Sequence, residues 1–388
     1  MKVAVIGAGI GGLCAAIGLQ RSGADVVVYE RAPELRAEGS GLSIFGNGAR
    51  ALDALGIGEG FRSIADSRAA AFRGGQRRPD GSWISTLPAD AVTQLRIISR
   101  SALHTLLTSA LLPGTLKTGQ TITDVSPQGD LSHTRADGQE RHEFFDLIVA
   151  ADGLRSSTRR RLFTDPGVAY AGYSTWRAIT PGPIDLAGEA AETWGVQRRF
   201  GIAPLPDGRV YWFGVATTAR DQHYDDNVAA LHMLFSDWHH PIAQLISATP
   251  AEQIHHLPIE ELAGHLRSFV SGRVVLLGDA AHAMRPDLGQ GGGQAMEDAA
   301  TLAALVSPFA RATVPDHAGL SFALKRYDLL RTIRTRRIAQ QSRAVGRMAH
   351  VPGRTLSKLR DLTLAATPQA ALRRQLESVQ SWEPPSAA

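Results

Sequence analysis

The chain has 388 residues, room for two or three structural units at roughly 150 residues each, and 44% of it is hydrophobic and 20% charged. Its 39 glycines and 20 prolines are scattered without period, which excludes collagen-like and low-complexity chains, and a single cysteine, Cys14, excludes a disulfide-stapled scaffold and fits a reducing, cytoplasmic compartment. The net charge of +4 is too small and too dispersed to indicate a nucleic-acid partner, although all but four of the 41 cations are arginine, the cation suited to carboxylate and phosphate.

Residues 3 to 19 carry no charge and follow Lys2, which imitates a secretory signal. Five glycines in that stretch point instead to a strand, a tight turn and a helix. Val3 to Ile6 is a short apolar run, Gly7, Gly9, Gly11 and Gly12 mark the turn, and Leu13 to Arg21 has helical composition. Cys14 reads as a small core residue of that helix. A second apolar strand, Val26 to Tyr29, ends at Glu30. Gly7-x-Gly9-x-x-Gly12 lets a pyrophosphate approach the N–H groups at a helix start. The Glu30 carboxylate can accept from both hydroxyls of an adenosine ribose and would repel a 2′-phosphate. The fingerprint fits either NAD or FAD.

Farther along, Arg100 sits at a helix start in Ile98-Ser99-Arg100-Ser101-Ala102-Leu103, and Asp152-Gly153 follows the strand Phe145 to Ala150 and by itself reads as a turn. From Gly172 to Leu266 the pattern changes to short aromatic-rich strands, Tyr173 to Ile179, Thr193 to Val196, Phe200 to Ala203 and Val210 to Thr217, whose alternation predicts a sheet covered on one face. Val274 to Leu277 predicts another buried strand, leading into Gly278-Asp279-Ala280-Ala281-His282, then Pro286-Asp287-Leu288-Gly289-Gln290-Gly291-Gly292-Gly293, then a helix from Gln294 to Val306. An acid after a strand can hold a polyol. A glycine run at a helix N-terminus presents N–H groups that stabilise negative charge on a reduced flavin. Asp316 to Met348 reads as one Arg-rich amphipathic helix, with Leu320, Leu324, Tyr327, Leu330 and Ile338 near helical spacing and a solvated or interfacial basic face, and Ser381 to Ala388 is expected to fray. No run approaches about 18 apolar residues, so no membrane span is expected. His239-His240 and His255-His256 lack completing ligands, so no metal site is expected.

Gly278-Asp279 with Pro286 and Gly289-Gln290-Gly291 resembles the GD motif of the single-component FAD-dependent aromatic hydroxylases, the group with the p-hydroxybenzoate hydroxylase fold. Ala151-Asp152-Gly153-x-x-Ser156-x-x-Arg159 resembles that family's DG motif, and with the Gly7 to Gly12 turn the three stand in the family's order. The resemblance implies an α/β chain. A Rossmann-like FAD/NAD(P)-binding domain comprises residues 1–72, 97–165 and 267–315, an inserted, mainly antiparallel β-sheet substrate domain residues 73–96 and 166–266, and a C-terminal helical segment residues 316–388. It further implies FAD bound by Gly7, Gly9, Gly11, Gly12, Glu30, Arg31, Ser43, Arg100, Asp152, Arg159, Asp279, Gly289, Gln290, Gly291, Gly292 and Gly293, with Gly39 to Asn47 as a cofactor-side loop. His282 is expected to be a structural or flavin-edge hydrogen-bond partner. With one fingerprint present, NADH or NADPH is expected as a co-substrate that visits a shared cleft.

The chemistry implied is hydroxylation of a small aromatic or heteroaromatic substrate by O2 through a flavin C4a-hydroperoxide, with Pro286 at the reactive edge. Arg199, Tyr211 and Asp287 match positions used by the FAD-dependent urate hydroxylase branch. A cation favours an anionic substrate, a tyrosine orients it, and an acid polarises the arginine or relays protons. Their plainer readings are a surface strand arginine, a core-rim aromatic and a turn acid. The chain departs from that branch at Gly46, where proline usually precedes Asn47, at Arg177, where asparagine is expected after Trp176, and at Ala281, where glycine is expected before His282; uric acid is therefore not singled out. A monooxygenase acting on a polycyclic antibiotic or epoxidising an alkene fits the same motifs, and a non-catalytic flavin-binding sensor is the alternative of another class. The expected assembly is a monomer or homodimer.

Overall fold

The structure is a computed structural model that describes residues 1–35, 40–65, 71–88, 93–135, 137–312 and 316–386; Gly39 of the expected cofactor-side loop lies outside them. The nucleotide-side sheet is built on Lys2–Ile6, apolar and buried after its first residue as a strand covered on both faces must be. Parallel to it lie Asp25–Tyr29 on one side and Leu147–Ala150 on the other. Val274–Leu276 continues the parallel pairing beyond Leu147–Ala150, Val270–Ser271 closes that edge antiparallel, and Leu116–Lys117 closes the other. Helices Ile10–Ser22 and Gly291–Ala310 pack together so closely at Gly18 that a Cβ there would lie 2.7 Å from the Ala303 Cβ. Cys14 is buried in this core.

The second sheet has seven strands in the order His255–Leu262, Val168–Ile179, Val210–Thr217, Arg198–Pro204, Glu192–Trp194, Gly75–Arg77 and Trp83–Thr86, antiparallel except where Glu192–Trp194 meets Gly75–Arg77. Alternation sorts its two faces. Trp176, Ala178, Phe200, Ile202 and Trp212 point to one side and form a core with helices Asn227–Phe235 and Ile242–Ser247. The pairs Arg177/Phe213, Ile179/Tyr211 and Arg199/Val215 place these residues on the other face, which meets the nucleotide side.

Three expectations need correction. The glycine-rich helix begins at Gly291, three residues before the expected Gln294, and runs to Ala310, so Gly291 to Gly293 form its first turn. The long C-terminal helix, His317–Ala349, buries Leu320, Leu324, Tyr327 and Ile338 but leaves Leu330 exposed; at 100° per residue Leu330 lies about 80° round from that stripe, and Arg331 sits within it. The tail does not fray at Ser381: Trp382 is buried, and Arg50 Nε donates to its carbonyl at 2.8 Å. Among the described residues, no helix is long and apolar enough to cross a membrane.

Arg331 is wholly buried and donates to Glu297 Oε2 at 2.6 Å, to Asp298 Oδ1, and to Gln294 Oε1 at 2.9 Å. Replacing it removes the main counter-charge of two buried carboxylates. Arg331→Met is expected to lower unfolding free energy by about 3–5 kcal/mol, whereas Arg337→Met on the exposed side stays within about 0.5 kcal/mol. Urea denaturation of the two variants checks this.

Candidate flavin and substrate site

At the first turn, the glycines divide by what surrounds them. A Cβ on Gly7, which sits at φ +100°, would lie 2.5 Å from the Ala151 carbonyl oxygen, one on Gly11 2.6 Å from Leu277 Cδ2, and one on Gly12 2.0 Å from the Gly7 carbonyl oxygen. These three are demanded by packing. Gly9 caps the helix Ile10–Ser22, and a Cβ there would meet nothing within 4 Å, so bare backbone faces open space at the positive end of a helix. Glu30 accepts from Ala8 N–H at 2.9 Å and Ala32 N–H at 2.8 Å, which fixes its carboxylate beside the turn. The expected Gly39 to Asn47 loop is, where described, a strand, Gly41–Ile44, and the start of a helix, Gly46–Ala54. That strand pairs with Arg96–Ser99, so Ser43 and Arg100 are carried on neighbouring backbone; Arg31 and Arg100 are exposed, and neither guanidinium has a partner among the described residues.

The other end of the cleft is formed by the two later motifs. Gly278 turns at φ +61° and donates its N–H to Asp298 Oδ2 at 2.9 Å, leaving Asp279 exposed without a partner among the described residues. A Cβ on Gly291 would meet nothing within 4 Å, one on Gly292 would lie 3.4 Å from Leu42, and one on Gly293 3.3 Å from Asn47 Nδ2. Gly289 turns at φ +63° beside Phe45 and Ser43. Gln290 is buried and accepts from Asn47 Nδ2 at 2.8 Å. Two buried acceptors, Asn47 Oδ1 and Asp152 Oδ1, have no partner among the described residues. Open backbone at Gly9 and Gly291, with unpaired acceptors and cations nearby, fits an extended ligand with a central pyrophosphate and a polar ring system at its far end, as FAD has.

Arg159 departs from expectation. Its side chain is fully buried and donates to Asp165 at 2.9 Å, to the Ala280 carbonyl at 2.9 Å and to the Leu154 carbonyl at 2.7 Å, so it ties the two Asp/Gly motifs together and offers nothing to a cofactor. His282 pairs with Asp298 inside the protein and is structural.

At the junction of the two sheets, Arg199 and Asp287 meet. Arg199 donates to Asp287 Oδ1 and, at 3.0 Å, to Glu192 Oε1; Tyr173 donates its hydroxyl to Asp287 Oδ2 at 2.6 Å. Burial opposes the arginine's charge, but the two carboxylates outweigh it and hold its pKa above the ordinary value. Burial and the Asp287 charge raise that of Tyr173. His350 stacks on Tyr173 with ring centroids 4.2 Å apart. Pro286 and Asp287 form a single turn just ahead of Gly289. Tyr211 is not part of this cluster: it packs with Ile97, Ile179 and Leu205, under Gly41, where a Cβ would lie 2.2 Å from its ring. Tyr173, Glu192 and His350 were not singled out in the sequence, and none lies in a motif that could have marked it.

The FAD binding domain family matches residues 1–342. The chain is 35% identical to the aurachin C monooxygenase/isomerase of Stigmatella aurantiaca over 90% of its length and 89% of that protein's. It is 31% identical to the 2-heptyl-3-hydroxy-4(1H)-quinolone synthase of Pseudomonas aeruginosa over 96% of each. The structure superposes on Klebsiella pneumoniae HpxO complexed with FAD and uric acid with a TM-score of 0.86 at 27% identity, covering 98% of this chain and 97% of that one. The chain belongs to the FAD binding domain family. Within it, the chain is a flavin-dependent monooxygenase.

The glycine geometry separates packing from ligand space. Gly9→Val is expected to leave the unfolding temperature of the flavin-free protein within a degree or two and to weaken FAD at least about tenfold, whereas Gly12→Ala lowers both; thermal unfolding and fluorescence titration with FAD check the contrast. His350 gives a pH prediction. Burial first, then the charges of Arg199 and Arg285, push its pKa down to about 3, against about 6.5 when unfolded. Between those values the unfolded chain binds the proton and the folded chain does not, so stability falls as pH is lowered through that window. His350→Gln is expected to flatten the dependence of unfolding free energy on pH between 6.5 and 4.5, measured by denaturant titration.

Proposed function

We propose that this protein uses FAD, NADH or NADPH, and O2 to hydroxylate an aromatic or heteroaromatic ring held between the nucleotide-side face of the seven-stranded sheet and the Pro286 to Gly293 segment. The observation that carries this reading is the Arg199–Asp287–Tyr173 cluster, which fastens the sheet to the segment bearing the flavin-side glycines. When bound, FAD supplies the redox chemistry, accepting electrons from the nicotinamide and passing them to oxygen. Gly9, Glu30, Arg100 and Asp152 would hold its adenosine and pyrophosphate side, and Asp279 with Gly289 to Gly293 its flavin side.

The chain's own groups hold and enclose the substrate. Arg199 and Tyr173 fix both oxygens of Asp287, so this acid stands in one orientation beside Pro286. Ile97, Ile179, Leu205 and Phe213 around Tyr211 supply an apolar wall that keeps water from the reacting ring. The nicotinamide cofactor has no second fingerprint to bind and would use the same cleft. HpxO, held with FAD and uric acid, and a relative named for a hydroxyquinolone product support a heteroaromatic ring as the substrate class.

The test is incubation of FAD-loaded protein with NADH or NADPH and 18O2 across urate, 4-quinolones, hydroxybenzoates and hydroxynicotinates. One labelled oxygen is expected in one product of the panel. Nicotinamide oxidation without label in any product would overturn the reading. Arg199→Gln is expected to retain FAD while kcat falls about a hundredfold through misplacement of Asp287.

A further inference from the structure

The face of the seven-stranded sheet that meets the nucleotide side carries two arginines that differ in their surroundings. Arg199 faces two carboxylates, Glu192 and Asp287, so an arriving anion would meet a group of net negative charge. Arg177 stands opposite Phe213 on the same face, half-buried, with no hydrogen-bond acceptor or ion-pair partner among the described residues. Near it is Tyr211, two residues beyond Phe213 on the same face, whose buried side chain likewise has no acceptor for its hydroxyl among the described residues. The charge of Arg177 reaches that phenol, opposing the rise that burial imposes on it. Two donors, one cationic, therefore lie side by side on an apolar wall of Ile179, Leu205 and Phe213.

We propose that Arg177, assisted by the Tyr211 hydroxyl, receives an oxyanion of the substrate, either a carboxylate or an ionised ring oxygen; this rests on the reading of the sheet's nucleotide-side face as the substrate wall. A half-buried guanidinium without a counter-ion is a costly arrangement that an oxyanion relieves, and its parallel N–H groups suit carboxylate geometry. Holding a ring oxygen as the anion also enriches the neighbouring ring carbons in electron density, which favours their hydroxylation. Arg199, expected from the sequence to face the substrate anion, is the positioning residue for Asp287. Arg177 is the specificity residue.

The test uses the FAD-loaded protein and two matched ligand pairs, salicylate with salicylamide and 4-hydroxyquinoline with 4-methoxyquinoline, with Kd read from calorimetry and from the change in flavin absorbance. In wild type the ionisable member of at least one pair is expected to bind about tenfold or more tightly than its partner. Preference for salicylate identifies a carboxylate, and preference for 4-hydroxyquinoline a ring oxygen. Arg177→Gln removes the preference with little change for the neutral ligand, Arg177→Lys retains part of it, and Arg220→Gln, at an exposed ion pair with Glu260, leaves it intact. Equal affinity within both pairs for wild type, including no detectable binding of any ligand, or an undiminished preference in Arg177→Gln, overturns the assignment of Arg177. If wild type oxidises the nicotinamide and labels a product with 18O in that case, the hydroxylase reading stands without it; if the chain holds no flavin, both fall.

Discussion

A buried carboxylate must be matched with opposite charge or donors, and in this protein that requirement is concentrated at Glu297 and Asp298. Both side chains are fully buried on the glycine-rich helix. Arg331 from the long C-terminal helix bridges them, and Arg334 adds a second cation to Glu297, with one donor at 2.8 Å. Asp298 also accepts from His282 and from the Gly278 N–H, which sets the turn that presents Asp279. Glu297 accepts from Asn47 Nδ2 at 2.6 Å. One buried cluster thus joins four separated segments, and each of them carries a flavin-side residue or braces one. The burial of Asp298 opposes its ionisation, but His282 and Arg331 outweigh it and hold its pKa at about 2, so this carboxylate stays charged at any ordinary pH.

The second constraint is the junction between the two sheets. Arg199 reaches from the substrate sheet to Asp287, and Tyr173 from the same sheet closes on the other oxygen. Behind Tyr173, His350 at the end of the long helix stacks on the ring and hydrogen-bonds Thr217 at 3.0 Å. The helix that neutralises Glu297 at its middle therefore also steadies the substrate cluster at its end. One helix thus braces both the glycine-rich helix, through Arg331, and the Asp287 cluster, through the His350 stack on Tyr173.

What was legible in the sequence was what local spacing dictates. Gly7, Gly11 and Gly12 sit where a Cβ would strike a backbone or a packed side chain, and such close approaches leave glycine as their signature. Alternation in Tyr173 to Ile179 and Val210 to Thr217 sorted the two faces of the substrate sheet because a period of two is a local property. The arginines were not legible in this way. Arg159 stands in a motif that suggests a cofactor phosphate, yet its partners include a carbonyl 121 residues away. Arg331 looked like one cation of a basic helix face, and its carboxylates lie 33 and 34 residues earlier. Long-range charge pairing leaves no periodic trace, so the sequence shows that a cation is present without showing what neutralises it.

That distinction gives the arginine-rich composition its meaning. The 41 cations that, set against 37 acids, leave the net charge of +4 are not physically alike. Arg159, Arg331 and Arg199 are buried against acids or carbonyls and act as fixed struts, since removing either partner would strand a charge in the interior. Arg336 and Arg337 face outward on the long helix, where solvent screens them and their individual contribution is small. Arg100 and Arg177 belong to neither group: they border the cleft and have no counter-ion within the described residues. A cation held beside a cleft without a protein acid retains its capacity to attract an anion from outside, while one already paired does not. Acids thus fix some arginines as buried struts and leave others with no protein counter-ion among the described residues.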